Sequence, residues 1–280
     1  MKKIFIASSI LFLVSLSVIW GYMFFNSNQA TKDVQSSAVT PEAIQSMQAS
    51  KNTILSSSPT PSIKKHRVTI ALFGDSMIDT MGDDLEILHQ VLQEQYSEYS
   101  FSLYNYGIGA QNVSDGRNRF ESPYVYKERN FPPIPELAPD VLIIGTFSYN
   151  PLNPHDPQKH KEELKTLLSQ AKNVTPLVYL LVEIAPLSWE FGKGERGINW
   201  PDDASEEHAN KIRDQLRGSL ALGNELNITV IDTFTPSQVT DSEGNPQYVS
   251  PDDGIHPSYE GHVFTARKIS SILELDSLRK

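Results

Sequence analysis

Cysteine is absent from the 280-residue chain, and basic residues are scarce, 24 Lys and Arg standing against 34 Asp and Glu. Without cysteine there is no disulfide framework, no thiolate metal site and no cysteine nucleophile. The lack also suits a protein working outside the cytoplasm, where free thiols oxidise. The basic deficit is uneven. Residues 1–66 hold six lysines against Asp33 and Glu42, a charge of +4, so the remainder carries 18 basic against 32 acidic residues, or −14. Such a globular part lacks the clustered Lys and Arg that phosphate neutralisation needs, which argues against nucleic acid as a partner. Internal repeats are also missing.

What is present begins with Lys2 and Lys3, followed by residues 4–25, a run of 22 without a charge. A helix of that length reaches roughly 33 Å, enough for a bilayer core. Trp20, Tyr22, Phe24 and Phe25 crowd its far end like an interfacial belt. The next cleavage candidate, Asn28-Gln29-Ala30, lacks a small residue at its first position. Residues 1–25 are therefore expected to be an uncleaved signal-anchor helix in the cell membrane, single-pass, with the remainder outside the cytoplasm. A secreted protein, after signal cleavage, is the alternative. Residues 26–66 are rich in Ser, Thr, Gln and Asn with few large apolar side chains, and are expected to be a flexible tether.

Residues 67–280 have another texture. Short apolar runs at 68–73, 101–106, 141–147, 176–184 and 228–234 predict five strands. Helical spacing of apolar residues predicts helices at 83–96, 158–172, 205–226 and 258–275. Runs that are apolar throughout, alternating with helices, indicate a parallel sheet covered on both faces, one three-layer α/β/α domain. Functional groups in such sheets gather beyond the carboxyl ends of the strands. There the sequence places Gly74-Asp75-Ser76, then Asn105-Tyr-Gly-Ile-Gly-Ala, then Asn150, and finally Asp253-Gly-Ile-His256-Pro.

These blocks, in this order, resemble the SGNH (GDSL-type) hydrolase family over roughly residues 68–276. The resemblance implies a flavodoxin-like fold and a serine esterase that acts through an acyl-enzyme, on short acyl or acetyl groups of a carbohydrate or lipid. It implies Ser76 as nucleophile, His256 as base and Asp253 as the residue orienting it, chemistry that suits these side chains. Asp252 is the alternative orienter, and Asp75 is expected to fix the turn. The oxyanion donors are implied to be Ser76 N–H, a glycine-block N–H at Gly107 or Gly109, and the Asn150 amide. The family's usual spacing would put its donor glycine where Ala110 stands. Its Gly-x-Asn-Asp block is replaced here by Ser148-Tyr149-Asn150-Pro151.

Other residues carry two readings each. Asn112, Tyr149, Trp189 and Trp200 are candidate substrate contacts. The segment 187–203, with Trp189, Phe191 and Trp200, is either a substrate wall or an insertion packed onto the domain. His155 and His160 flank Asp156 at a spacing that matches no strong metal signature, and no cofactor or metal is expected. Two rival functions share the scaffold, an O-acyltransferase acting on a cell-envelope glycan and a noncatalytic binding module.

Overall fold

The structure, a computed structural model, describes residues 66–278. The expected anchor of residues 1–25 and the tether of 26–66, His66 apart, lie outside the described residues. Among the described residues no helix is long and apolar enough to cross a membrane.

Five parallel strands form the central sheet: β1 (His66–Gly74), β2 (Tyr99–Gly107), β3 (Val141–Gly145), β4 (Leu177–Val182) and β5 (Thr229–Asp232). Their order across the sheet is β2-β1-β3-β4-β5. The five helices are α1 (Glu86–Gln95), α2 (Val113–Arg119), α3 (Pro157–Val174), α4 (Asp202–Glu225) and α5 (Tyr259–Ile272), besides single helical turns.

Alternation along β1 shows why its apolar run is unbroken. Val68, Ile70 and Leu72 pack with Leu88 and Leu92 of α1 and Ile269 of α5. Ala71 and Phe73 point the other way, into a core with Leu164, Leu167 and Leu168 of α3 and Leu216 of α4. A strand buried on both faces has no polar side to alternate with.

After β1 the chain builds β2 on one side, then returns to build β3 on the other. This reversal opens a crevice at the carboxyl ends of β1 and β3, where open α/β sheets bind ligands. Ser76 follows β1 and Asn150 follows β3, so both border that crevice.

Elements unmarked in the sequence reading are short and polar. Helix α2 reads VSDGRNR, with Val113 its one large apolar residue, and is held by its cap rather than by periodicity. A hairpin pairs Tyr124–Tyr126 with Arg129–Phe131, and another pairs Gln238–Thr240 with Glu243–Gly244.

Candidate active site

The turn carrying Ser76 follows directly from β1. Asp75 caps the single turn Ser76–Asp79, its Oδ1 accepting from Met77 N–H at 3.0 Å. Its Oδ2 accepts from Asn150 Nδ2 at 2.9 Å, so the acid joins the ends of β1 and β3. Asp75 is fully buried, and burial pushes its carboxyl up to about 6 against the opposing pull of Met77 N–H, the Asn150 amide and the nearby His256. It fixes the turn, as expected. Ser76 stands at the first helical position, where a backbone N–H has no intrahelical acceptor.

The glycine block closes on this turn from β2. Asn105 Nδ2 donates to Ile78 O at 2.9 Å and to Gly82 O at 2.8 Å, pinning the far side of the turn. A Cβ at Gly107 would lie 2.2 Å from Asp79 N, so only glycine permits this approach. The amides of the block are mostly committed. Gly107 N–H donates to Asn105 Oδ1 at 2.8 Å, Ile108 N–H to Gly74 O at 3.1 Å and Gly109 N–H to Tyr126 OH at 3.3 Å. Ala110, held at φ 59, has an N–H without an acceptor among the described residues.

Arg119, buried on α2, clamps the two blocks together. One terminal nitrogen donates to Gly74 O at 2.7 Å and to Tyr106 O at 2.9 Å, the carbonyls just before Asp75 and Gly107. Its guanidinium lies 4.0 Å from the Phe73 ring centroid. Nothing in the sequence separates it from other arginines in polar stretches.

Asp253 and His256 come from the loop before α5. Asp253 Oδ2 meets His256 Nδ1 at 2.7 Å, while Oδ1 accepts from Ile255 N–H at 2.8 Å and His256 N–H at 3.0 Å. Burial raises the Asp253 carboxyl, but the hydrogen bonds from the His256 ring and these two amides outweigh it and hold the group below its ordinary range. Asp252 makes no such contact; its carbonyl accepts from Arg196 N–H at 2.7 Å. His256 lies close enough to Asp75 to pull its carboxyl down, which brings the ring beside the turn that carries Ser76. Ser76 Oγ has no hydrogen-bond partner among the described residues; such bonds commonly tighten only with substrate bound.

The segment 187–203 divides between its two readings. Phe191 is buried, and the Trp200 ring lies 5.0 Å from that of His208, so both pack the segment onto the domain. Trp189 is 64% exposed and borders a groove of about 710 Å³ shared with Leu187, Lys193, Val249 and Gly254. The segment grips the Asp253–His256 loop, with Gly192 N–H donating to Gly254 O at 3.2 Å.

The remaining candidates are structural in their contacts. Asn112 caps α2, accepting from Ser114 N–H at 2.9 Å and Asp115 N–H at 3.2 Å, with Asp115 returning the bond. Tyr149 is buried, its hydroxyl donating to Ile184 O at 2.9 Å. The His160 ring meets Thr146 O at 2.9 Å, and burial pulls its pKa down to about 4. No group of three His, Cys, Asp or Glu that could hold a metal ion occurs among the described residues.

A family model described as GDSL-like lipase/acylhydrolase matches residues 70–269. No curated protein matches the chain. Among solved structures, a lipase/acylhydrolase from Enterococcus faecalis is 19% identical, with 73% of this chain and 94% of that one covered at a TM-score of 0.52. A GDSL-like lipase from Bacteroides thetaiotaomicron is 15% identical, covering 72% and 86% at 0.51. A catalytic mutant of an acetylxylan esterase from Geobacillus stearothermophilus is 17% identical, covering 76% and 98% at 0.52. At these identities the likeness is one of fold.

Proposed function

We propose, from the premise that this chain belongs to the GDSL-like lipase/acylhydrolase family, that it removes a short acyl or acetyl group from a carbohydrate through an acyl-enzyme on Ser76. The observation that supports this reading is that Asp75, next to Ser76, accepts from Asn150 and interacts with His256, whose ring is held by Asp253.

His256 Nε2 takes the Ser76 proton as Oγ attacks the ester carbonyl, while Asp253 holds the Nδ1–H tautomer and stabilises the imidazolium. The developing oxyanion is received by Ser76 N–H, the Asn150 amide and the N–H of Ala110. Ala110 takes the place expected of Gly107 or Gly109, because their N–H groups already donate to Asn105 and Tyr126. Collapse returns the proton from His256 to the leaving alcohol, and water then releases the acid by the same route. The exposed indole of Trp189, bordering a groove that reaches Gly254, supports a sugar-bearing alcohol, since flat aromatic faces suit the C–H face of a ring. Anchoring of this domain outside the cytoplasm by residues 4–25 completes the proposal, supported by their length and lack of charge.

Ser76→Ala is expected to abolish fluorophosphonate labelling and to lower hydrolysis of a chromogenic short-chain ester by about 10³-fold or more. Hydrolysis at the wild-type rate would refute Ser76 as nucleophile. For the anchor, the full-length chain should stay with membranes through carbonate extraction; its release would overturn that part alone.

A further inference from the structure

Glu183 stands immediately after β4, and the steps above do not use it. The side chain is buried. Its Oε1 accepts from Thr146 N–H at 2.7 Å, and its Oε2 is hydrogen-bonded to the Thr146 hydroxyl. Thr146 Oγ1 in turn lies 2.7 Å from Ser148 Oγ and accepts from Ser148 N–H at 3.3 Å. Gln215 Nε2 holds Ser148 O at 2.9 Å. The carboxyl therefore anchors the first residue of the 146–150 turn, whose last residue is Asn150.

Its other side faces the nucleophile turn. A Cβ at Gly145 would come 2.8 Å from Glu183 Oε1 and 3.5 Å from Gly74 Cα, so the carboxyl lodges where β1 and β3 end, next to the residue preceding Asp75. The titratable groups around it are Asp75 after β1, Tyr149 after β3, His262 from α5 in a small cavity that both line, and His160 from α3 on Thr146 O. Burial, with the Asp75 carboxylate adding to it, pushes Glu183 up to about 8 against the opposing hydrogen bonds from Thr146. Burial also pulls His262 and His160 down to about 4, so neither offers a positive charge at neutral pH.

We propose that Glu183 is a positioning residue that works as a neutral carboxylic acid, holding the 146–150 turn so that the Asn150 amide stays on Asp75 and faces the substrate. A neutral carboxyl donates its proton to Thr146 Oγ1 and leaves the threonine proton for Ser148 Oγ, satisfying the chain of hydroxyls. It also spares Asp75 a second buried negative charge, which would otherwise drive a proton onto Asp75 and weaken its hold on Asn150. The proposal rests on the reading of Asn150 as an oxyanion donor.

Kinetics of Glu183→Gln and Glu183→Ala in the full-length chain, on a chromogenic short-chain ester, test it. Glu183→Gln should keep kcat within about threefold at neutral pH and lose the wild-type decline in kcat above about pH 8. Glu183→Ala should lower kcat about tenfold or more with KM within about twofold, a loss confined to the transition state. Equal impairment of both variants, or an alkaline profile shared by wild type and Glu183→Gln, would overturn the proposal. Should Glu183→Ala not fold, the Glu183→Gln profile decides. Infrared difference spectra at neutral pH supply a readout independent of activity: a protonated-carboxyl band present in wild type and missing from Glu183→Gln is expected, and no such band in wild type overturns it. An inactive wild type would instead sink the esterase reading while leaving the infrared result to judge Glu183.

Discussion

Arg119 and Arg117 lie two positions apart in one polar stretch, yet their side chains do different work. Arg117 is more than a third exposed and makes one ion pair, with the partly buried Glu163. Arg119 satisfies four acceptors at once: Gln111 Oε1, Tyr124 OH and the carbonyls of Gly74 and Tyr106. Exposed ion pairs contribute about 0–1 kcal/mol, whereas unpaired buried carbonyls each cost about 1–3 kcal/mol. Arg119→Met, which keeps the apolar stem, is therefore expected to destabilise the fold by about 2–4 kcal/mol, read as a lower urea midpoint. Arg119→Lys should recover little, because an ammonium cannot reproduce the planar fork. Arg117→Met should cost no more than about 1 kcal/mol by the same measurement. A similar midpoint for the two methionine variants would show that the clamp between the Ser76 turn and the glycine block is not what Arg119 supplies.

At the scale of elements, Asn112 and the aromatic segment separate packing from recognition. Asn112→Ala removes the cap of α2 and should cost about 1 kcal/mol by urea unfolding, with KM for a small ester unchanged; a raised KM with full stability would restore it as a substrate contact. Phe191→Ala should cost about 3–5 kcal/mol, the usual penalty for emptying a buried aromatic site. Trp189→Ala should leave stability within about 0.5 kcal/mol and raise KM for an acetylated oligosaccharide, not for a small chromogenic ester. How much was legible follows the same division. The five strands and the four long helices were readable because burial on both faces leaves unbroken apolar runs and one-sided helices leave a period. The Asp253–His256 pair was readable because its partners sit three residues apart in one loop. Helix α2 and the hairpin carrying Tyr126 were not, since a cap, a cation–π contact and a single hydroxyl leave no periodic trace. Which N–H of the glycine block is free was not readable, because the bonds from Gly107 to Asn105 and from Gly109 to Tyr126 come from side chains that spacing does not place. Glu183 did leave a signal, an acid at the end of an apolar run, but reading it as the tail of a strand hid its meaning.

The whole molecule has a pH response whose sign its buried groups determine. Asp75 and Glu183 are raised by burial to about 6 and about 8 from ordinary values near 4. For each, the folded chain binds its proton more tightly than the unfolded chain, so the stability present below the unfolded pKa is lost as pH rises through the folded one. His160 and His262 have the opposite sense. Burial lowers both to about 4 from 6.5, so the unfolded chain binds more protons and stability rises between those values. Below about pH 6.5 the two pairs oppose each other and the net slope is shallow. Above it the unfolded histidines lose their last protons within about one pH unit and Asp75 is largely ionised, while Glu183 is still titrating. Stability should then fall by about 1 kcal/mol between pH 6.5 and 8, the loss at Glu183 outweighing the residual gain from the histidines. Urea midpoints measured across that interval check the slope, and Glu183→Gln should flatten it. A wild-type midpoint that stays level from 6.5 to 8, or a slope that survives in Glu183→Gln, would show that this carboxyl does not carry its proton into the neutral range.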